Sequence, residues 1–249
     1  MTTPTVINAS ESHRIGASSV TDPGVDQAGC ALPDAPAGAV AVFGEHLPLA
    51  VRYAEMLAGP GVERGLLGPR EAPRLWERHL LNCAGLTELL EPGQQVLDAG
   101  SGAGLPGIVL AICRNDIDVV LVEPLQRRAT FLAEVVDELG LSHVSVVRSR
   151  LEDLAGKTLI DTVVARAVAP LDRLAAWTMP LLRTGGRLLA LKGEQAESEL
   201  AAGRAALRRA GAESAAVVTV GRPDRQTQAR VVVVVRSATA SARPRTERR

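Results

Sequence analysis

Four glycines, Gly100, Gly102, Gly104 and Gly107, follow Asp98 closely in the stretch VLDAGSGAGLPGI. The last three fit G-x-G-x-x-G, a spacing that lets backbone come close to a nucleotide-type ligand. Asp98 decides between two kinds of ligand. A dinucleotide lays its pyrophosphate on the helix that follows the glycines. A carboxylate about 5 Å away would then cost roughly 3 kcal/mol at an effective dielectric near 20. S-adenosylmethionine has no phosphate and brings a sulfonium and an ammonium, which Asp98 would attract. Glu123 closes the run VVLVE some twenty residues on. An acid there accepts from ribose hydroxyls, so it supports an adenosine ligand of either kind.

Those residues must be held by alternating strands and helices. Gln95–Ala99, Asp118–Glu123, Val144–Arg148, Asp161–Ala165 and Gly186–Leu191 read as short buried strands. Between and after them, Gly107–Cys113, Gln126–Leu139, Leu171–Leu182 and Glu194–Ala210 read as helices. The last two β-branched runs, Ala215–Val220 and Arg230–Arg236, have no helix between them, so they pair antiparallel or join irregularly. The pattern predicts an α/β, Rossmann-like class I S-adenosylmethionine-dependent methyltransferase with a mostly parallel sheet and a terminal antiparallel strand. Two helices precede it, Val40–Ala58 and Arg74–Leu90, separated by the Gly-rich break Gly59–Gly68. Residues 1–38, rich in Ala, Gly, Pro, Ser and Thr, are expected to be a disordered lead, and residues 237–249 a basic disordered tail. The methyltransferase domain then spans residues 39–236.

Composition narrows the partners. The net charge is zero, yet Lys157 and Lys192 are the only lysines, so nearly all positive charge is arginine. Phe43, Tyr53, Trp76, Phe131 and Trp177 are the only aromatics, too few for a platform that stacks several bases. An RNA partner would have to be held by arginine, backbone amides and shape. Cys30, Cys83 and Cys113 lack metal-ligand spacing, which predicts reduced thiols, no metal and a cytoplasmic setting. No run nears the roughly 18 apolar residues of a membrane span. A monomer is expected.

The blocks DAGSGAGLPGI, LVEPLQRRATFLAEVVDELGL, SRLED, VVARAVAPL and LLALKG occur in that order. Together they resemble the bacterial family that methylates N7 of a guanine in 16S ribosomal RNA, the glucose-inhibited division protein B family, from about Leu75 to Val235. The resemblance implies S-adenosylmethionine as cofactor and 16S ribosomal RNA, or the small ribosomal subunit, as partner. It places cofactor contacts on Gly100 and Leu105, on Leu151 and Glu152, and on Arg166. Glu152 would meet the adenine amino group, and Arg166 would anchor the cofactor carboxylate, receive RNA or sit in an internal ion pair. His79 and Lys192 match the family's histidine helix and its lysine, and both are candidate contacts to the substrate RNA. Lys192 would reach substrate phosphate, and Arg127 and Arg128 are further candidate RNA contacts. Guanine N7 carries a lone pair and no proton, so the implied chemistry needs no obligatory base and no catalytic residue is assigned. Two departures stand out: Ala165 replaces the family's usual serine, and its N-terminal aromatic-polar pattern is missing before Arg74. Other readings are a methyltransferase for a small molecule or another RNA, and a dinucleotide-binding protein, which Asp98 opposes.

Overall fold

The computed structural model describes residues 5–7, 32–222, 224 and 227–238. The predicted tail beyond residue 238 and most of the predicted lead lie outside these. Strands run in the order β1 (Thr5–Ile7), β4 (Val144–Arg148), β3 (Asp118–Val122), β2 (Gln95–Ala99), β5 (Ile160–Arg166), β6 (Leu182–Lys192), β8 (Ala229–Arg236) and β7 (Ala212–Val220). From β4 to β6 the pairing is parallel. The expected late pair is antiparallel, with β8 inserted between β6 and β7. One strand was not expected. Thr5–Ile7 pairs antiparallel with β4 along the far edge, within the lead read as irregular. Its three residues, Thr-Val-Ile, are β-branched, but the run is too short to stand out in a polar segment.

Period-two alternation sorts the strand residues onto two faces. Val96, Val119, Leu121, Val164 and Leu189 pack with α1 (Ala37–Phe43), α2 (Leu47–Met56), α3 (Asn82–Ala84), α4 (Gly107–Cys113) and α5 (Gln126–Glu138). Leu97, Val122, Val163, Leu188 and Ala190 pack with α6 (Leu171–Thr178) and α7 (Ala196–Arg209). Asp98, two residues after Val96, therefore faces α4. No helix of the described residues is long and apolar enough to cross a membrane.

The long N-terminal helices expected from periodicity are broken. Gly44 adopts φ +50° after α1, a 3-10 turn follows, and Pro48 starts α2. Proline fits a helix's first turn but not its interior, so a new helix begins there. The second expected helix winds as a wide π-type turn at Leu75–Leu81, passes through α3, and tightens at Gly85–Leu89. A Cβ on Gly85 would lie 2.6 Å from the Thr227 carbonyl oxygen, so this backbone is pressed against the end of the sheet.

Gly107 shows the same constraint at the start of α4. A Cβ there would meet Leu121 Cδ2 at 2.4 Å and Asp98 Oδ2 at 2.7 Å. Overpacking of this kind costs about 1–3 kcal/mol. Gly107→Ala should lower the melting temperature by several degrees in calorimetry, whereas Gly59→Ala, with nothing within 4 Å of its Cβ, should leave it nearly unchanged. Equal melting temperatures for the two variants would contradict the packing described.

Candidate functional site

The strand order turns at β2: β3 and β4 lie to one side, β5 and β6 to the other. In open α/β sheets ligands bind at such a switch point, outside the carboxyl ends of the strands. A cavity of about 710 Å³ opens there, within the usual range for small ligands of about 300–1,000 Å³. Most residues singled out in the sequence meet in its wall: Gly100, Gly102 and Leu105 after β2, Glu123 after β3, Leu151 and Glu152 after β4, and Arg166 at the end of β5.

Glu123 is the best-defined acid of the cavity. It is buried, its Oε2 accepts from the Gly102 N–H at 3.0 Å, and its Oε1 accepts from the Leu125 N–H at 2.9 Å. Each carboxylate oxygen keeps a further lone pair, enough to take two ribose hydroxyls. The carboxylate thus ties the glycine loop to the start of α5 while leaving acceptor capacity toward the cavity.

Asp98 stands elsewhere. It lies beneath the loop, fully buried, and is not part of the cavity wall. Its Oδ2 accepts from the Gly107 N–H at 3.0 Å, while Oδ1 has no hydrogen-bond partner among the described residues. Burial pushes its carboxyl up to about 7, against the lowering effect of the Gly107 amide. The direct contact with a cationic ligand expected from sequence is replaced by a contact with the protein's own helix terminus. A dinucleotide fits this loop poorly, because the amide that would hold phosphate is already filled by a carboxylate.

Arg166 connects this cavity to a second one. It lines both, and its guanidinium bonds to His79 Nδ1 and reaches Cys83 Sγ at 3.3 Å. His79 is buried, and its Nε2 lies 2.8 Å from Glu71 Oε2. Arginine can only donate, so Nδ1 accepts and Nε2–H donates to Glu71. Burial first, and the Arg166 charge second, hold the imidazole below its ordinary value and hence neutral near pH 7. The chain of bonds fixes the guanidinium without an acid touching it, so the internal ion-pair reading of Arg166 does not describe this site.

The other candidates separate. Lys192, at the end of β6, is paired with Glu199 at 2.7 Å and reaches the Ala169 carbonyl at 3.3 Å. Arg127 is exposed, but Arg128 turns into the first cavity, 3.8 Å from Glu123 Oε2. Arg173 and Trp177 of α6 were missed; the guanidinium sits 5.1 Å from the ring centroid, and both line the cavity. Their spacing of four on one helix was a usable signal. Leu66 and Leu67, also in the wall, carried none beyond two adjacent leucines in a Gly-rich break. Among the described residues no cluster of His, Cys, Asp or Glu could hold a metal ion.

The family model for rRNA small subunit methyltransferase G matches residues 46–228. The chain belongs to that family. A ribosomal RNA small subunit methyltransferase G of Streptomyces coelicolor is 59% identical over 191 residues, covering 76% of this chain and 80% of that protein. Another, of Mycolicibacterium gilvum, is 51% identical over 221 residues, covering 88% and 97%. Among solved structures, a SAM-dependent methyltransferase from Aquifex aeolicus superposes with a TM-score of 0.50 at 18% identity, over 71% of this chain and 97% of that one. That likeness shows the class I methyltransferase fold.

As a member of the rRNA small subunit methyltransferase G family, the chain is an S-adenosylmethionine-dependent enzyme, and its cavity suits that cofactor. Gly104 adopts φ +101°, and a Cβ there would fall 2.6 Å from Ile108 Cγ1 and 2.8 Å from the Tyr53 hydroxyl, so the loop follows a path open only to glycine. Glu123 would hold the ribose, Glu152 would face the adenine, and Arg166 would meet the carboxylate. The cofactor supplies a methyl group already activated on sulfur.

Proposed function

We propose that this chain places the methyl group of S-adenosylmethionine on N7 of a guanine in 16S ribosomal RNA, as a cytoplasmic monomer. The observation that carries the reading is the state of His79. Among the described residues it is the histidine that lines the second cavity, and both its nitrogens are engaged, Nδ1 by Arg166, which lines both cavities, and Nε2 by Glu71. His79, its lone pair already given to a guanidinium, is not free to take a substrate proton, which supports a reaction that asks for none. Methylation of an amine or hydroxyl would release one. Guanine N7 offers an in-plane lone pair and no proton, so the reaction needs alignment rather than proton removal. Proximity and orientation supply roughly 7–11 kcal/mol in favourable cases.

The names of the relatives support an RNA of the small subunit as substrate. Residues Arg70, Arg74 and Arg78 are exposed and spaced by four, and Arg78 lines the second cavity, giving the phosphate backbone a positive edge to meet. Mass mapping of 16S ribosomal RNA from cells with and without the protein tests the proposal. One guanine should lose about 14 mass units of methyl in the deletion strain, with cleavage chemistry assigning it to N7. An unchanged RNA, or methylation on an exocyclic amine, would overturn it.

A further inference from the structure

We propose that the second cavity is the pocket for the target base, and that the Lys192–Glu199 ion pair reads the Watson–Crick edge of guanine there. This rests on the guanine-N7 reading above. The cavity holds about 560 Å³ and shares Arg166 and Ala167 with the cofactor cavity, so a base lying in it abuts the methyl donor's site. Enzymes that act on a base take it out of the stack and read its Watson–Crick edge in a pocket. This pocket has no Phe, Tyr or Trp in its wall; its polar lining is Glu71, Arg78, His79, Asn82, Lys192 and Glu199, together with Arg166 and the exposed Glu77. Discrimination must then come from hydrogen bonds.

Most of those groups are already committed. Glu71 is bonded to His79 at 2.8 Å and lies 3.6 Å from Arg78, and Asn82 donates to the Gln228 carbonyl at 3.0 Å. Lys192 and Glu199 are committed chiefly to each other. The ammonium touches Glu199 Oε2 at 2.7 Å and the Ala169 carbonyl at 3.3 Å, leaving one N–H of three. The carboxylate is about one-third exposed and keeps lone pairs on both oxygens. The pair therefore presents a donor and an acceptor side by side.

The orientation follows from the chemistry and the sheet. N7 must face the cofactor, which puts the substituent on C6 nearest Arg166, then N1, then the substituent on C2. Arg166 pairs in register with Leu191, so Lys192 is the next residue along and lies at the near end. Glu199 comes from α7. Guanine then offers its O6 acceptor to Lys192 and its N1–H and N2–H donors to Glu199. Adenine in the same pose would turn an amino group to the ammonium and a bare N1 to the carboxylate, two mismatches at once.

The test uses the full chain, S-adenosylmethionine and 16S ribosomal RNA from cells lacking the protein, together with RNA carrying inosine at the mapped position. Inosine keeps O6 and N1–H but lacks the 2-amino group. Wild type should prefer guanosine to inosine in kcat/KM. Glu199→Gln should lower kcat/KM for guanosine RNA about ten- to a hundred-fold and bring the guanosine-to-inosine ratio toward one, with cofactor affinity unchanged by calorimetry. Lys192→Met should lower kcat/KM by a similar factor while leaving that ratio in place, since O6 is common to both bases. Glu197→Gln, on the exposed side of the same helix and paired with Arg230, should leave turnover unchanged. Wild-type discrimination retained in Glu199→Gln would overturn the assignment while leaving the N7 activity standing. Absence of methylated guanine with wild-type enzyme would instead remove the reading beneath it.

Discussion

Glu123→Gln should weaken S-adenosylmethionine binding by about a hundred-fold, on the order of 3 kcal/mol, although it exchanges one oxygen for an amide nitrogen. The two oxygens of Glu123 accept from two different backbone N–H groups, those of Gly102 and Leu125. Glutamine has one acceptor oxygen, so its NH₂ must face one of these donors. An unsatisfied buried donor costs about 1–3 kcal/mol, and the loop relieves it by moving away from the cavity. A ribose held by Glu123 would lose an anionic acceptor as well, and hydrogen bonds to charged groups are worth about 1.5–3 kcal/mol. Arg128, 3.8 Å from Glu123, loses its counter-charge at the same time. Calorimetric titration checks the expectation; wild-type affinity in Glu123→Gln would mean that the carboxylate holds neither loop nor ribose.

The second large effect belongs to Asp98 and is read in stability against pH. Its folded-state value, about 7, lies above the ordinary 3.8 because burial disfavours the charge. A raised carboxylate means that the folded state holds a proton the unfolded chain has released. This contribution is fully present below the unfolded value and is lost as pH rises from about 3.8 through about 7. At 1.36 kcal/mol per pH unit the loss is on the order of 4 kcal/mol. Asparagine keeps a carbonyl oxygen for the Gly107 amide and cannot ionise. Asp98→Asn should therefore gain on wild type steadily between pH 4 and 7, and keep that advantage at pH 8, in urea unfolding without ligand. A variant less stable than wild type at pH 8 would show that the charge itself secures the loop.

Much of this arrangement is readable from the chain because short parallel strands with clean flanks leave little choice. Gln95–Ala99, Gly107–Cys113 and Val144–Arg148 have the boundaries that pattern alone suggests. Residues that end those strands necessarily gather at one edge, which is why Glu123, Glu152 and Arg166 could be placed together. The failures have two causes, a local left-handed turn and contacts distant in sequence. Period reading runs helices through Gly44 and Gly85, where a left-handed turn and the Thr227 carbonyl decide the path. The role of Asp98 depended on whether its side chain turned up into the cavity or back beneath α4, and nothing local distinguishes these. The Glu71–His79–Arg166 chain is completed by Arg166, 87 residues from His79, and His79 alone looked like one more polar residue on a helix.

One bond changes how the first third of the chain should be regarded. The Tyr53 hydroxyl, fully buried, donates to the Ala103 carbonyl in the middle of the glycine loop at 2.9 Å. Helix α2 is thus a brace for the cofactor loop rather than an accessory to a self-sufficient core. A shortened protein that keeps every recognisable methyltransferase block from Leu75 onward would retain the whole vocabulary of the site and lose its grammar. Transplanting this activity to another scaffold means carrying α2 along with the blocks that name the enzyme.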